Sequence, residues 1–146
     1  YRPWPTQDTD YFSDEAYIKR LYPDIKISTG SLVKNLLACR LVVLDHYGTA
    51  FYEAMASNTP VIIYFGMLEL AFTPEAKKMF KRLQAVGIFH DSAYGAAKTI
   101  SASFENIQEW WLSEKVQEIR EEFCRLFALT DTKWSRRWIK QLSDLQ

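Results

Sequence analysis

Leu41-Val42-Val43-Leu44 and, further on, Val61-Ile62-Ile63-Tyr64-Phe65 are the two stretches that decide the fold. Each is a continuous apolar run rich in aliphatic and β-branched residues, the pattern of a strand buried on both faces of a parallel sheet. Asp45-His46-Tyr47-Gly48-Thr49 breaks the first run, and Thr49 to Ser57 then offers helix formers with small Ala50, Ala54 and Ala56. Asn58-Thr59-Pro60 stops that helix before the second run. Strand, loop, helix and strand make a βαβ unit, because parallel neighbours need a crossover between them.

Working outward, the same alternation continues. Towards the N-terminus, Ser13-Asp14-Glu15 predicts a capped helix through Tyr22, stopped by Pro23, and Ile25-Lys26-Ile27 predicts a brief strand. Ser31 caps a helix to about Cys39 with Leu32, Val33, Leu36 and Leu37 on one face. Towards the C-terminus, Thr73-Pro74-Glu75 is a strong helix start, with Met79, Phe80 and Leu83 as the buried stripe. Val86-Gly87-Ile88-Phe89 predicts another strand, and Asp91 or Ser92 caps a helix bearing Ala93, Ala97, Ile100 and Phe104. Beyond Phe104 only helical stripes remain: Ile107, Trp110 and Trp111, then Val116, Ile119, Phe123 and Leu126, then Trp134, Trp138, Leu142 and Leu145. The expected fold is α/β: a three-layer, Rossmann-like, mostly parallel sheet with an all-helical C-terminal third, forming one domain over residues 1–146.

Composition narrows the function. The 146 residues are 48% apolar, 15% aromatic and 25% charged, too rich in core formers for a disordered chain. Eighteen basic and eighteen acidic residues cancel, so no overall field draws the protein to nucleic acid. No apolar run approaches the roughly 20 residues of a transmembrane segment. Cys39 and Cys124, each beside apolar neighbours, read as reduced core thiols and point to the cytoplasm. No His or Cys spacing suggests a metal site, and no cofactor is called for. The opening Tyr1-Arg2-Pro3-Trp4-Pro5 has no initiator Met and looks cut from something longer.

In open α/β sheets ligands bind beyond the carboxyl ends of strands, which directs attention to the loop after Leu44. Gly48 lets a ligand approach the backbone, and the amides of Thr49, Ala50 and Phe51 at a helix start suit a phosphate. Thr49 can donate to a phosphate oxygen or cap the helix. Glu53 lies one turn on, on the same face, where a carboxylate can accept both hydroxyls of a ribose. Its apolar neighbours set it apart from a solvated helix acid. His46 beside Asp45 could serve acid–base chemistry but reads better as loop scaffold or phosphate contact. His90 and Asp91 read as ordinary loop and cap residues, and Trp110-Trp111 as core.

The stretch from Asp45 to Ile62 resembles the donor-site motif of GT-B glycosyltransferases, in which a Gly-containing loop precedes E-A-M/L-A-x-x-x-P-V-I. Asp45 and Glu53 keep the spacing of the family's two acids, with Asp in place of the usual first Glu. Arg2-Pro3-Trp4-Pro5, Thr29 to Val43 and Glu109-Trp110-Trp111 are similar to bacterial surface-carbohydrate transferases. A Tyr-Gly pair stands where other members have paired Gly or Ser-Gly.

The resemblance implies a nucleotide-sugar-binding domain over residues 1–146, the donor-binding half of a two-domain transferase of surface polysaccharide biosynthesis, cytoplasmic or at the inner face of the membrane. The nucleotide sugar is substrate, not cofactor. Glu53 takes the ribose, Arg2, His46, Tyr47, Gly48 and Thr49 the phosphates, Ser28-Thr29-Gly30 the nucleobase, and Asp45 supports the loop. The partner would be an N-terminal domain that holds the catalytic base, so this chain binds without turnover, and the last helix crosses back to that domain. Two other readings stand beside this one: a nucleotide-sugar 2-epimerase-like domain, whose usual loop is richer in Gly and Ser, and a non-catalytic α/β binding module.

Overall fold

The computed structural model describes residues 1–2, 14–66 and 72–144. Val42–Leu44 (β1) pairs in parallel with Val61–Tyr64 (β2), Val42 opposite Val61 and Leu44 opposite Ile63. Phe89–His90 (β3) pairs in parallel with the far side of β2, giving a three-stranded sheet in the order β1-β2-β3. The expected parallel α/β pattern is therefore present in a small sheet. Sequential order with right-handed crossovers puts the two connecting helices, Thr49–Ala56 (α3) and Pro74–Ala85 (α4), on one face.

The chain divides into two compact units, Tyr1–Asn35 and Leu36–Gln146. The first contains the helix Asp14–Leu21 (α1) and the start of Leu32–Ala38 (α2), whose first turn is capped by Ser31 Oγ accepting from the Lys34 amide. Ile25–Ile27 is not a strand. It makes a single parallel step with the chain start, the Tyr1 nitrogen donating to Lys26 O and the Ser28 amide to Tyr1 O, too short a ladder to count as one.

The second unit holds the sheet. Glu114–Phe127 (α7) packs across both α3 and α4, and half-buried Arg82 and Glu122 form an ion pair between α4 and α7. Beneath lies a cluster of aromatic rings. Phe51, Phe80, Phe89 and Phe123 are fully buried, with Phe51 against Phe123 at 5.2 Å and Phe80 against Phe89 at 5.2 Å between ring centres. Burial of such a side chain stabilises by about 1.5–3 kcal/mol. Met79, Phe80 and Leu83 are the buried face of α4, as its periodicity predicts.

Both crossover helices end in the same turn. At α3 the Asn58 amide donates to Met55 O and the Thr59 amide to Ala54 O; at α4 the Gly87 amide donates to Gln84 O and the Ile88 amide to Leu83 O. Asn58 at φ 56° and Gly87 at φ 81° occupy the left-handed position that this Schellman turn demands. Gly87 is thus spent on ending α4, so the strand expected from Val86 starts only at Phe89.

Other expectations shift. β1 is not buried on both faces: Val43 is 47% exposed. On α2 only Leu36 is buried, while Val33 and Leu37 are exposed. On Ala93–Ser103 (α5) the buried residue is Ala96 rather than Ala93 or Ala97. Cys39 is exposed and is no core thiol. Cys124 is half-buried, and burial pushes its thiol up from the ordinary range while the Arg120 cation opposes that shift.

After α5 come a 3₁₀ turn, Phe104–Asn106, and the helices Ile107–Trp111 (α6), α7 and Trp134–Ser143 (α8). Trp110 and Trp111 on α6 bind the two Schellman turns. Trp110 Nε1 donates to Val86 O at 3.0 Å, and fully buried Trp111 donates from Nε1 to Asn58 O at 3.0 Å and Asn58 Oδ1 at 2.9 Å. Gln117 adds a bond to Asn58 Oδ1, and Arg120 Nη1 donates to Met55 O at 3.0 Å, placing a cation at the negative end of α3. No helix among the described residues is long and apolar enough to cross a membrane. Pro3 to Pro5, the Ser13 cap and Leu145 lie outside the described residues.

Candidate functional site

The turns just described close the amino edge of the sheet. The carboxyl edge is formed by the segments that leave β1, β2 and β3, and α3 starts there. Its N-cap is Gly48, not Thr49, and among the described residues no side chain caps this end. Thr49 therefore occupies the first helical position. The Phe51 amide donates back to Gly48 O at 3.0 Å, so of the three amides expected to face a ligand, those of Thr49 and Ala50 lack an intrahelical acceptor.

Gly48 is extended, at φ −161°, a conformation open to any residue. A Cβ placed there would meet the His46 ring at 3.4 Å, an ordinary contact. Neither backbone strain nor crowding within the protein requires glycine here. His46 is oriented by its neighbour: Nδ1 and Asp45 Oδ1 are 2.7 Å apart, on an exposed pair. That contact directs the imidazole edge carrying Nε2 and Cδ2 towards Gly48.

Tyr47 points elsewhere. Its ring packs against Tyr52, Phe72 and Phe80 at 5.3, 5.5 and 5.4 Å, and its hydroxyl is hydrogen-bonded to that of Tyr52. Burial raises the Tyr52 phenol above its ordinary pKa, so that phenol stays protonated at neutral pH. Tyr47 pins the loop to the aromatic cluster, and what it presents at the edge is backbone.

Glu53, one turn along α3, is the one charged residue of that helix. Its Oε2 is buried and has no hydrogen-bond partner, the one such side-chain atom among the described residues. A buried polar atom left unpaired costs about 1–3 kcal/mol, more when charged.

Within the first unit, two of the expected positions meet. Arg2 Nη1 donates to Gly30 O at 2.9 Å, and Asn35 Nδ2 donates to Ser28 Oγ at 2.6 Å, bracing the Ser28-Thr29-Gly30 loop. Gly30 sits at φ 87°, so this turn does require glycine. The sequence reading missed Asn35, whose amide lies one turn after the Ser31 cap and within reach of the loop before it.

His90, at the end of β3, donates from Nε2 to Gly87 O at 3.1 Å and is a satisfied loop histidine. Ser92 rather than Asp91 caps α5, accepting from the Gly95 amide at 3.2 Å. Among the described residues no three His, Cys, Asp or Glu side chains group to hold a metal.

A family model described as LIC12162 family transferase matches residues 1–142. The chain belongs to that family. Its membership makes this protein a transferase, and the match runs through the β1–α3 loop, Glu53 and the Trp110-Trp111 helix alike. No curated protein and no solved structure matches the chain.

Proposed function

We propose that this transferase holds the nucleotide of an activated sugar at the carboxyl edge of its sheet, as the donor-binding part of a GT-B glycosyltransferase in surface polysaccharide assembly. The observation that carries the reading is the buried, unpaired Oε2 of Glu53 beside an uncapped helix start. A ribose supplies two hydroxyl donors to a carboxylate, which satisfies that oxygen. The diphosphate then accepts from the Thr49 and Ala50 amides, with the α3 dipole favouring its charge.

The contribution to reaction is positional and electrostatic: charge that grows on the leaving phosphate is met by fixed amides. His46, steered by Asp45, borders the same anion. The global charge of zero is no obstacle, because the positive potential is local.

Calorimetric titration with UDP, GDP, ADP, dTDP and CMP tests this. One of these should bind, and Gly48→Ala should weaken that binding on the order of tenfold while leaving the thermal midpoint unchanged, because the added Cβ fills ligand space and not protein space. Absence of binding by every nucleotide at millimolar concentration contradicts the proposal.

A further inference from the structure

The last helix has no packing of its own to explain it. α8, Trp134-Ser135-Arg136-Arg137-Trp138-Ile139-Lys140-Gln141-Leu142-Ser143, buries none of its residues. Trp134, Trp138, Ile139 and Leu142 are 57–65% exposed. At about 100° per residue these four fall within roughly 140° of the helix circumference, and Lys133, Arg136, Arg137 and Lys140 fall on the opposite side. A ten-residue helix is marginal in water unless packing holds it, so this one calls for a surface to cover its apolar stripe.

Charge says which surface. No acidic residue lies within α8, and residues 131–144 carry four cations against Asp131 and Asp144. Asp131 is committed to Arg137 at 2.6 Å. The cation cluster stands out in a chain whose total charge is zero. Two tryptophans on the apolar stripe suit such a boundary: each indole N–H needs a polar partner while its rings need an apolar one, and lipid headgroups above acyl chains supply both.

We infer that α8 is an in-plane anchor for an anionic lipid surface, its Trp134, Trp138, Ile139 and Leu142 stripe lying at the headgroup–acyl boundary and Lys133, Arg136 and Lys140 on lipid phosphates. Nothing in this rests on Glu53 or on nucleotide binding. A chain that binds vesicles and no nucleotide keeps this inference and loses the donor-site reading; the converse result does the reverse.

The test is co-sedimentation of the chain with vesicles of phosphatidylcholine alone and with 40% phosphatidylglycerol, about equal in size, monitored also by tryptophan emission. Binding to the anionic vesicles, a blue-shifted emission and weakening at high salt are expected. Arg136→Ala with Lys140→Ala should lower partitioning about fivefold for each cation removed. Trp134→Ser with Trp138→Ser should abolish the blue shift; both sites are exposed, so folding is preserved, and an unchanged far-ultraviolet circular dichroism melt verifies it. No binding to anionic vesicles, or binding that neither double variant weakens, overturns the inference. So does a concentration-dependent dimer, broken by the tryptophan changes, that leaves vesicles untouched, because a second copy would then be what covers α8.

Discussion

Replacing Glu53 by Ala should weaken nucleotide binding by about 1–3 kcal/mol, about five- to 150-fold in affinity, without destabilising the unliganded protein. The two halves of this expectation have one cause. In the free chain Oε2 is buried with no partner, so its removal takes away an unfavourable group. In the proposed complex the same atom is paired, and its removal would strand ribose hydroxyls. An ordinary structural acid does the opposite: its loss lowers stability and leaves binding alone. Saturating nucleotide should accordingly raise the wild-type melting point, by about 2.7 kcal/mol of stability at one hundred times Kd, and raise that of the Ala variant less at the same concentration. Glu53→Gln keeps the shape but turns one acceptor into a donor, so its affinity should also fall. Paired titration and thermal melts of the three proteins check this, and an Ala variant that binds as well as wild type makes Glu53 a bystander.

The largest effect on stability is expected at the other edge of the sheet. Trp111→Ala should cost about 3–5 kcal/mol, measured by urea unfolding, because it opens a cavity where a fully buried indole stood and leaves two acceptors on Asn58 short of a donor. Domains of this kind have about 5–15 kcal/mol in all, so the variant should sit close to unfolding at ambient temperature. Trp111→Phe retains most of the packing and should lose about 1–3 kcal/mol. Trp138→Ala, on the exposed helix α8, should change stability by less than about 0.5 kcal/mol. Equal costs at positions 111 and 138 would refute the assignment of Trp111 as the lock on the α3 turn.

How much of this was legible in the chain differs by element. The unit β1–α3–β2 could be read because its strands are unbroken aliphatic runs and its helix ends at Asn58-Thr59-Pro60, a local signal for a left-handed turn. α4 could be read from Thr73-Pro74 and a strong stripe. α5 was misread by one position because alanines at 93, 96 and 97 and a glycine at 95 give periodicity little contrast, and a small residue fits against a sheet as well as its neighbour does. β3 was displaced because Gly87 resembles a residue within a strand until the two amides that use it to close α4 are seen.

For the candidate site, Gly48 is singled out by its place in the loop after a strand end, and Glu53 by lying one helical turn beyond Thr49. That Thr49 is not the cap, and that Tyr47 turns into the aromatic cluster, depended on tertiary packing. The long cations were invisible. Arg40 Nη2 donates to Phe104 O and Glu105 O, each at 2.7 Å, and its guanidinium lies over the Phe104 ring, across a separation that no spacing rule reaches. Arg120 meets Met55 O across a similar gap. Both reach carbonyls, which every residue owns, so neither partner carries a mark in the sequence.

The most direct measurement for the donor-site reading is a crystal structure of the chain with the nucleotide that binds it best. The ribose should lie with a hydroxyl about 2.5–3.2 Å from Glu53 Oε2, and a phosphate oxygen should accept from the Thr49 or Ala50 amide. A nucleotide found away from α3, with Glu53 Oε2 still unpaired, would contradict the account.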